Sequence, residues 1–194
     1  MGEDQWLSLA QVAAEAEERR AGLAECIAAI HKVEPLAKVL AFAPTRGFAA
    51  AEKAVKALPM KTEVVTPGEE QEKAARLVLE FDEPPHEETY QKRCRVLLLS
   101  YDDGAGLNLQ HGCHHVVLFA PLAQAAKDSE KIIAAVGKEQ QSIGRVRRAG
   151  QSHKVTVHRL VLEGPNGERT VDGALHERNE DKELIRSATN TADA

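Results

Sequence analysis

Apolar residues recur along this chain in two periods, and the period switches several times between strand-like and helix-like. In residues 1–32, Leu23, Cys26, Ile27 and Ile30 return every three or four positions among strong helix formers. That spacing predicts a helix, weakened at Gly22 and ended by Pro35. Residues 38–43, KVLAFA, are a short apolar run of the strand type. Pro44-Thr45-Arg46-Gly47 then makes a turn, with Thr45 as the candidate N-cap of a helix over 48–58. Phe48, Ala51, Val55 and Leu58 share one face of that helix, and Pro59 stops it. Residues 62–65 predict a second strand. Residues 69–81 predict a helix with Ala74, Leu77, Val78 and Phe81 inward. A polar, proline-broken loop occupies 82–93. Residues 95–100, RVLLLS, are the most apolar strand and are expected to be a central one. HVVLF at 115–119 is another. Residues 120–140 read as helical with a break near Gly137, the helix resuming to about Arg148. Residues 154–161 alternate apolar and polar, as an edge strand does. A turn at 163–167 leads to a last helix from about 170 to 187.

Strands alternating with helices imply an α/β fold: a doubly wound, mostly parallel sheet with helices on both faces. Ligands of such sheets bind beyond the carboxyl ends of strands, which singles out the loops after Ala43, Ser100 and Phe119. The 194 residues suffice for one domain with appendages: an N-terminal helix over 1–35 packing on or leading into it, the domain over 36–187, and a frayed tail at 188–194.

Composition narrows the class. Hydrophobic residues at 43% and charged residues at 28% are ordinary for a globular protein. No apolar run approaches bilayer-spanning length and no secretory signal is visible, so no membrane partner is expected. Three scattered cysteines, Cys26, Cys94 and Cys113, fit free thiols in a reducing compartment. The net charge of −5 speaks weakly against a nucleic-acid binder, but its distribution speaks for one. Residues 138–159 carry six Lys or Arg against Glu139 alone, while 63–88 carry nine acids against Lys73 and Arg76. One phosphate-facing surface and one solvated acidic face are expected from that asymmetry.

The densest chemistry is QSIGRVRRAGQ at 141–151. Residues three apart on a helix share a face, so Arg145 and Arg148 would converge on one polyanion while Arg147 points away. Guanidinium stays charged and grips phosphate oxygens in a planar fork. On charge alone this is a basic surface helix. A second cluster comes after Ser100, where Gly104 and Gly106 would let backbone amides approach phosphate or ribose oxygens; without context it reads as a tight turn. His111, Cys113, His114 and His115 crowd into five positions, but no second ligand pair at finger-like spacing exists, and no metal site is expected. Cys94 reads as a buried strand thiol rather than a nucleophile. Asp82-Glu83 and Glu87-Glu88 read as solvated acids.

Order and spacing give the arginine segment a closer likeness. Gln-x-x-Gly-Arg-x-x-Arg-x-Gly-Gln resembles the sixth motif of superfamily-two helicase-like ATPases in the form used by SWI/SNF-type DNA translocases. Ser100, with Gly104, Gly106, Asn108 and Leu109 after it, resembles the fifth motif. KVLAFAPT resembles the fourth. Residues 154–160 resemble the strand after the sixth motif in that family, and 170–182 its closing helix. The likeness covers about residues 36–186, the length of a second RecA-like lobe. It departs at 120–140, where a helical insertion replaces a short Trp-Asn-Pro loop, and in the Gly-Ala order after Asp102 and Asp103. The resemblance implies catalytic roles for Arg145 and Arg148 at the phosphates of ATP, and nucleotide contacts from Gly104, Gly106, Asn108 and Gln141. It implies DNA-backbone contacts from Thr45 and Ser100. ATP and Mg²⁺ would be held only in a two-lobed parent, because the chain contains neither Gly-x-x-x-x-Gly-Lys-Ser/Thr nor Asp-Glu-x-His. Expected partners are a first RecA-like lobe, double-stranded DNA bound through its phosphates, and other proteins at 63–88 and 120–140. The implied location is the nucleus in a eukaryote and the cytoplasm otherwise. The rival expectation is a catalytically inert lobe that serves as an interaction module.

Overall fold

A computed structural model describes residues 16–68, 71–83, 93–102, 107–122, 129–168 and 170–192; side chains of 71, 129–133 and 182–192 are outside it. Among these residues a five-stranded sheet runs in the order β2-β3-β1-β4-β5, every neighbouring pair parallel. The strands are β1 (Val39–Ala43), β2 (Thr62–Val64), β3 (Val96–Ser100), β4 (His115–Leu118) and β5 (Thr156–Arg159). The helices are α1 (Glu17–Val33), α2 (Phe48–Lys56), α3 (Gln71–Asp82), α4 (Ser129–Gly144) and α5 (Val171–Ala192). β1 is the middle strand, and β3 lies inside the sheet beside it, as the apolar content of RVLLLS predicts, in register from Val39 opposite Val96 to Ala43 opposite Ser100. Both strands are buried throughout, so hydrophobicity alone could not rank them.

Side chains of successive strand residues leave on opposite faces, and two cores result. Val39, Ala41, Ala43, Val96, Leu98 and Val117 pack with Leu23, Ile27 and Ile30 of α1 and Phe48, Ala51 and Val55 of α2. Leu40, Phe42, Leu97, Leu99, Val116 and Leu118 pack with Val78 and Phe81 of α3 and Ala135 and Ile143 of α4. The sheet is therefore sandwiched between helical layers, as the alternation predicts. At the β5 edge no residue is fully buried, in keeping with its alternating sequence.

A buried arginine fastens α1 to the rest. Arg19 donates to the carbonyls of Phe119 (2.7 Å) and Leu160 (2.9 Å) and pairs with the Asp172 carboxylate of α5. Asp172 also accepts from the Leu162 amide at 3.0 Å.

Several element boundaries differ from the pattern-based ones. Thr45 is not the N-cap of α2; Gly47 is, at φ 105°, and no side chain caps the helix. The turn before α2 needs left-handed backbone, which glycine supplies without strain. Residues 120–122 are not helical: they follow Phe119, which extends β4 as expected with its amide on the Phe42 carbonyl at 2.8 Å, and Glu139 holds the Leu122 amide at 3.0 Å. Helix α4 runs unbroken through Gly137, because Ala135, Val136, Glu139 and Ile143 are all buried around it. It ends at Gly144 rather than near Arg148, and α5 continues to Ala192 rather than stopping near 187.

Candidate functional site

The arginine segment leaves α4 through tightened turns. The amides of Arg145 and Val146 bond the carbonyls of Ser142 and Ile143 at 3.2 and 3.1 Å, three residues back, and the Arg148 amide reaches Val146 at 3.1 Å. The shared face of Arg145 and Arg148 is thus not α-helical; the turn brings them together. Arg148 folds back so that Nε donates to the Gly144 carbonyl at 3.1 Å and Nη1 donates to Asn108 Oδ1. The Leu109 amide donates to the Arg145 carbonyl at 3.0 Å. Asn108-Leu109 and the arginine turn are therefore laced together by side chain and backbone, although 40 residues separate Asn108 from Arg148. Arg147 is exposed, and its side chain has no hydrogen bond among the described residues.

Arg145 is half-buried, and its Nε is sealed from solvent with no hydrogen-bond partner among the described residues. Burial, and then the neighbouring Arg148 charge, push its guanidinium below the usual arginine range. Arginine does not deprotonate, so the pair is a standing demand for an anion. Gln141 is exposed one turn earlier on α4. Gly104 and Gly106 lie outside the described residues.

The two motif glycines have different reasons. Gly150 sits at φ 95°, and a Cβ there would meet His111 Cε1 at 3.2 Å. The left-handed turn lets Gln151 Nε2 donate to the Cys113 carbonyl at 2.9 Å. Gly144 has no such need: its φ is not positive, and a Cβ would meet nothing within 4 Å.

A second group gathers at the carboxyl ends of β1 and β3. Thr45 is exposed and its Oγ1 donates to Asp102 Oδ2 at 3.1 Å. Asp102 also pairs with Lys138 of α4, and that hydrogen bond first, then Thr45, outweigh burial to hold its carboxyl below the usual range. Asp102 is therefore already neutralised by a cation of its own lobe. Ser100 is wholly buried, and its Oγ accepts the Asp102 amide at 3.2 Å. Its hydroxyl organises the turn and does not face solvent. Lys138 lies seven residues before Arg145, so roughly 10 Å of α4 separates this group from the arginines.

The other sequence candidates resolve into structural roles. Asp82 Oδ1 accepts the His111 and Gly112 amides, each at 3.0 Å, and Glu83 pairs with Arg93; neither acid is merely solvated. Glu87 and Glu88 lie outside the described residues. Burial pushes the Cys94 thiol up to about 12 and the Cys113 thiol higher still, which makes both poor nucleophiles. Of the crowded ligand-type residues at 111–115, only His114 and His115 converge, and they do so on Glu34 at the end of α1.

Comparison with solved structures shows the same fold. The C-terminal part of the Fun30 ATPase domain aligns with 82% of this chain at a TM-score of 0.61 and 19% identity. The Pyrococcus furiosus Hef helicase domain aligns with 81% of it at a TM-score of 0.52 and 18% identity. The chain spans 44% of the first and 27% of the second, less than half of either. No family profile matches the sequence. No curated protein matches it either. The chain thus has the fold of a C-terminal, RecA-like lobe of helicase-type ATPases. Among the described residues no helix is long and apolar enough to cross a membrane.

Proposed function

We propose that this chain acts as the second lobe of a SWI/SNF-type, DNA-stimulated ATPase and translocase, supplying an arginine finger and part of the DNA track. The carrying observation is the arginine turn. Two guanidiniums stand close enough to repel, one has a sealed donor without a partner among the described residues, and Asn108 braces the other. A Cβ at Gly144 would meet nothing within 4 Å, so no packing among the described residues requires glycine there. A triphosphate presented by a facing lobe answers all of these at once.

In this reading Arg145 and Arg148 stabilise charge on the phosphoryl group in flight. Gln141 and Asn108 position them, and the amides of Gly104 and Gly106 face the nucleotide. Mg²⁺ and most of the ATP contacts belong to the first lobe, because this chain carries no P-loop or Asp-Glu box. Thr45 touches a DNA phosphate and Ser100 shapes the turn beside it; such contacts position the lobe without reading sequence. The segments 63–88 and 120–140 are the surfaces for other proteins, and chromatin remodelling or repair in a nucleus is the setting.

The chain alone tests the half-site. In an NMR titration with ATP, amides of Asn108, Leu109, Arg145 and Arg148 shift at millimolar nucleotide, and the shifts vanish in the Arg145→Ala/Arg148→Ala variant. Shifts confined to other parts of the lobe, or unchanged in that variant, refute the assignment.

A further inference from the structure

Five side chains of metal-binding type gather beneath α1, on the sheet face away from α3 and α4. Glu34, the residue after α1, presents Oε2 to His114 Nε2 at 3.0 Å and to His115 Nε2 at 3.1 Å. The ligand-type atoms of these three residues lie within 4.8 Å of one another. Behind them, His115 Nδ1 meets His158 Nε2 at 3.3 Å, and the His114 ring stacks on His153 at 4.7 Å between centroids.

We propose that Glu34, His114 and His115 form a binding site for one divalent first-row transition ion, Zn²⁺ before others. A tetrahedral ion with ligands at about 2.0–2.1 Å spaces its ligand atoms roughly 3.3 Å apart. The two carboxylate–imidazole separations already approach that value without the ion. Two imidazoles and a carboxylate, with no thiolate, are a donor set that zinc accepts while keeping a fourth position open.

The donors are also fixed before the ion arrives. The Glu34 backbone is tied at both ends, its amide to Ile30 at 2.8 Å and its carbonyl to the Ala37 amide at 3.0 Å. His115 opens β4, flanked in the ladder by Val39 and Thr156, and the His114 carbonyl accepts the Thr156 amide at 2.8 Å. Without metal, both rings donate Nε2–H to Glu34. With metal, the ring of His115 takes the other tautomer: Nε2 offers its lone pair to the ion and Nδ1–H donates to His158 Nε2. That orienting bond is what a ligating histidine needs from its surroundings. Glu34 and His115 also line an apolar pocket of about 310 Å³ with Cys26, Ile30, Val33 and His158, so these two ligands are reachable from solvent.

A carboxylate oxygen can accept from two imidazoles, so it is the close approach of three ligand-type atoms, with His158 behind one ring and His153 stacked on the other, that points to an ion. Sequence spacing hides the site because Glu34 lies 80 residues before His114.

The full chain, prepared without a polyhistidine tag and stripped by chelator, is titrated with Zn²⁺ in a calorimeter and with Co²⁺ in a spectrophotometer. One Zn²⁺ binds per chain, with a dissociation constant on the order of 1 μM or tighter. Co²⁺ gives visible ligand-field bands without a thiolate charge-transfer band. Glu34→Gln, which keeps the shape of the side chain, and His114→Ala and His115→Ala each weaken Zn²⁺ by more than ~10-fold, and His158→Ala by about 10-fold. His111→Ala and Cys113→Ser, checked as folded by circular dichroism, bind as the unmodified chain does. Absence of saturable Zn²⁺ binding overturns the site. So does undiminished binding by Glu34→Gln, or a thiolate band with Co²⁺.

Discussion

Arg145 and Arg148 carry the same charge but are held differently, and the proposed function rests on that difference. Arg148 is braced by Asn108 and the Gly144 carbonyl, so its fork is oriented before any ligand arrives. Arg145 keeps a buried donor free among the described residues, so an anion gains more there than it would from a solvated side chain. Lys61 and Glu80, by contrast, find each other within the lobe. Lys61 Nζ meets Glu80 Oε1 at 2.8 Å; that hydrogen bond raises the Lys61 pKa and lowers that of Glu80. The lowered carboxylate stabilises the fold above its unfolded value near pH ~4.3, and the benefit disappears as pH falls through the folded value. The raised ammonium contributes fully below pH ~10.4 and loses its share as pH rises through its folded value. Both groups are more than one-third exposed, so the pair is worth at most about 0.5 kcal/mol. Urea melts of the chain and of Glu80→Gln from acid to alkali measure it. Their stability difference peaks between these limits and shrinks at both ends; a difference constant with pH refutes the pairing.

At the scale of elements, α1 is bound by one polar cluster as well as by its apolar stripe. Arg19→Ala leaves Asp172 buried without its cation, which costs about 3–5 kcal/mol and lowers the melting midpoint by at least ~6 °C. Glu25→Ala, on the exposed side of the same helix, is the control. A loss for Arg19→Ala no larger than for Glu25→Ala, read from thermal melts, contradicts the role. Nothing in the local pattern marks Arg19, since an arginine among helix formers looks solvated until its distant carbonyls are in place. The strands were legible because burial on both faces leaves unbroken apolar runs, such as VLAFA and VLLLS. The helix ends were not. Gly137 looks like a break but is enclosed by buried neighbours, and Gly144 ends α4 where the arginine pattern invites its continuation. The nearness of Arg145 and Arg148 was legible because their spacing is local. The Glu34–His114–His115 cluster was not, because only β4 lying beside β1 brings His115 to the end of α1.

In the proposed function the molecule as a whole supplies one part of an active site shared with another lobe. Its sheet, two cores and braced arginine turn are built without any partner, while the phosphate cradle and metal-holding acids of an NTPase are absent from its sequence. Under the proposed function such a lobe contributes to the chemical step through another lobe, and the contribution would be lodged in one orientation of one guanidinium. The direct test joins the lobe to a first lobe carrying the P-loop and Asp-Glu box, and measures steady-state ATP turnover at saturating DNA. Arg148→Ala lowers turnover by on the order of 10³-fold or more, as loss of an arginine finger does, with a far smaller change in ATP affinity. Arg148→Lys does not restore it, because a point charge cannot replace the planar fork. Arg147→Ala, whose side chain stands exposed outside the braced turn, leaves turnover nearly intact. Equal losses at positions 147 and 148, or full turnover by Arg148→Ala, would contradict the account.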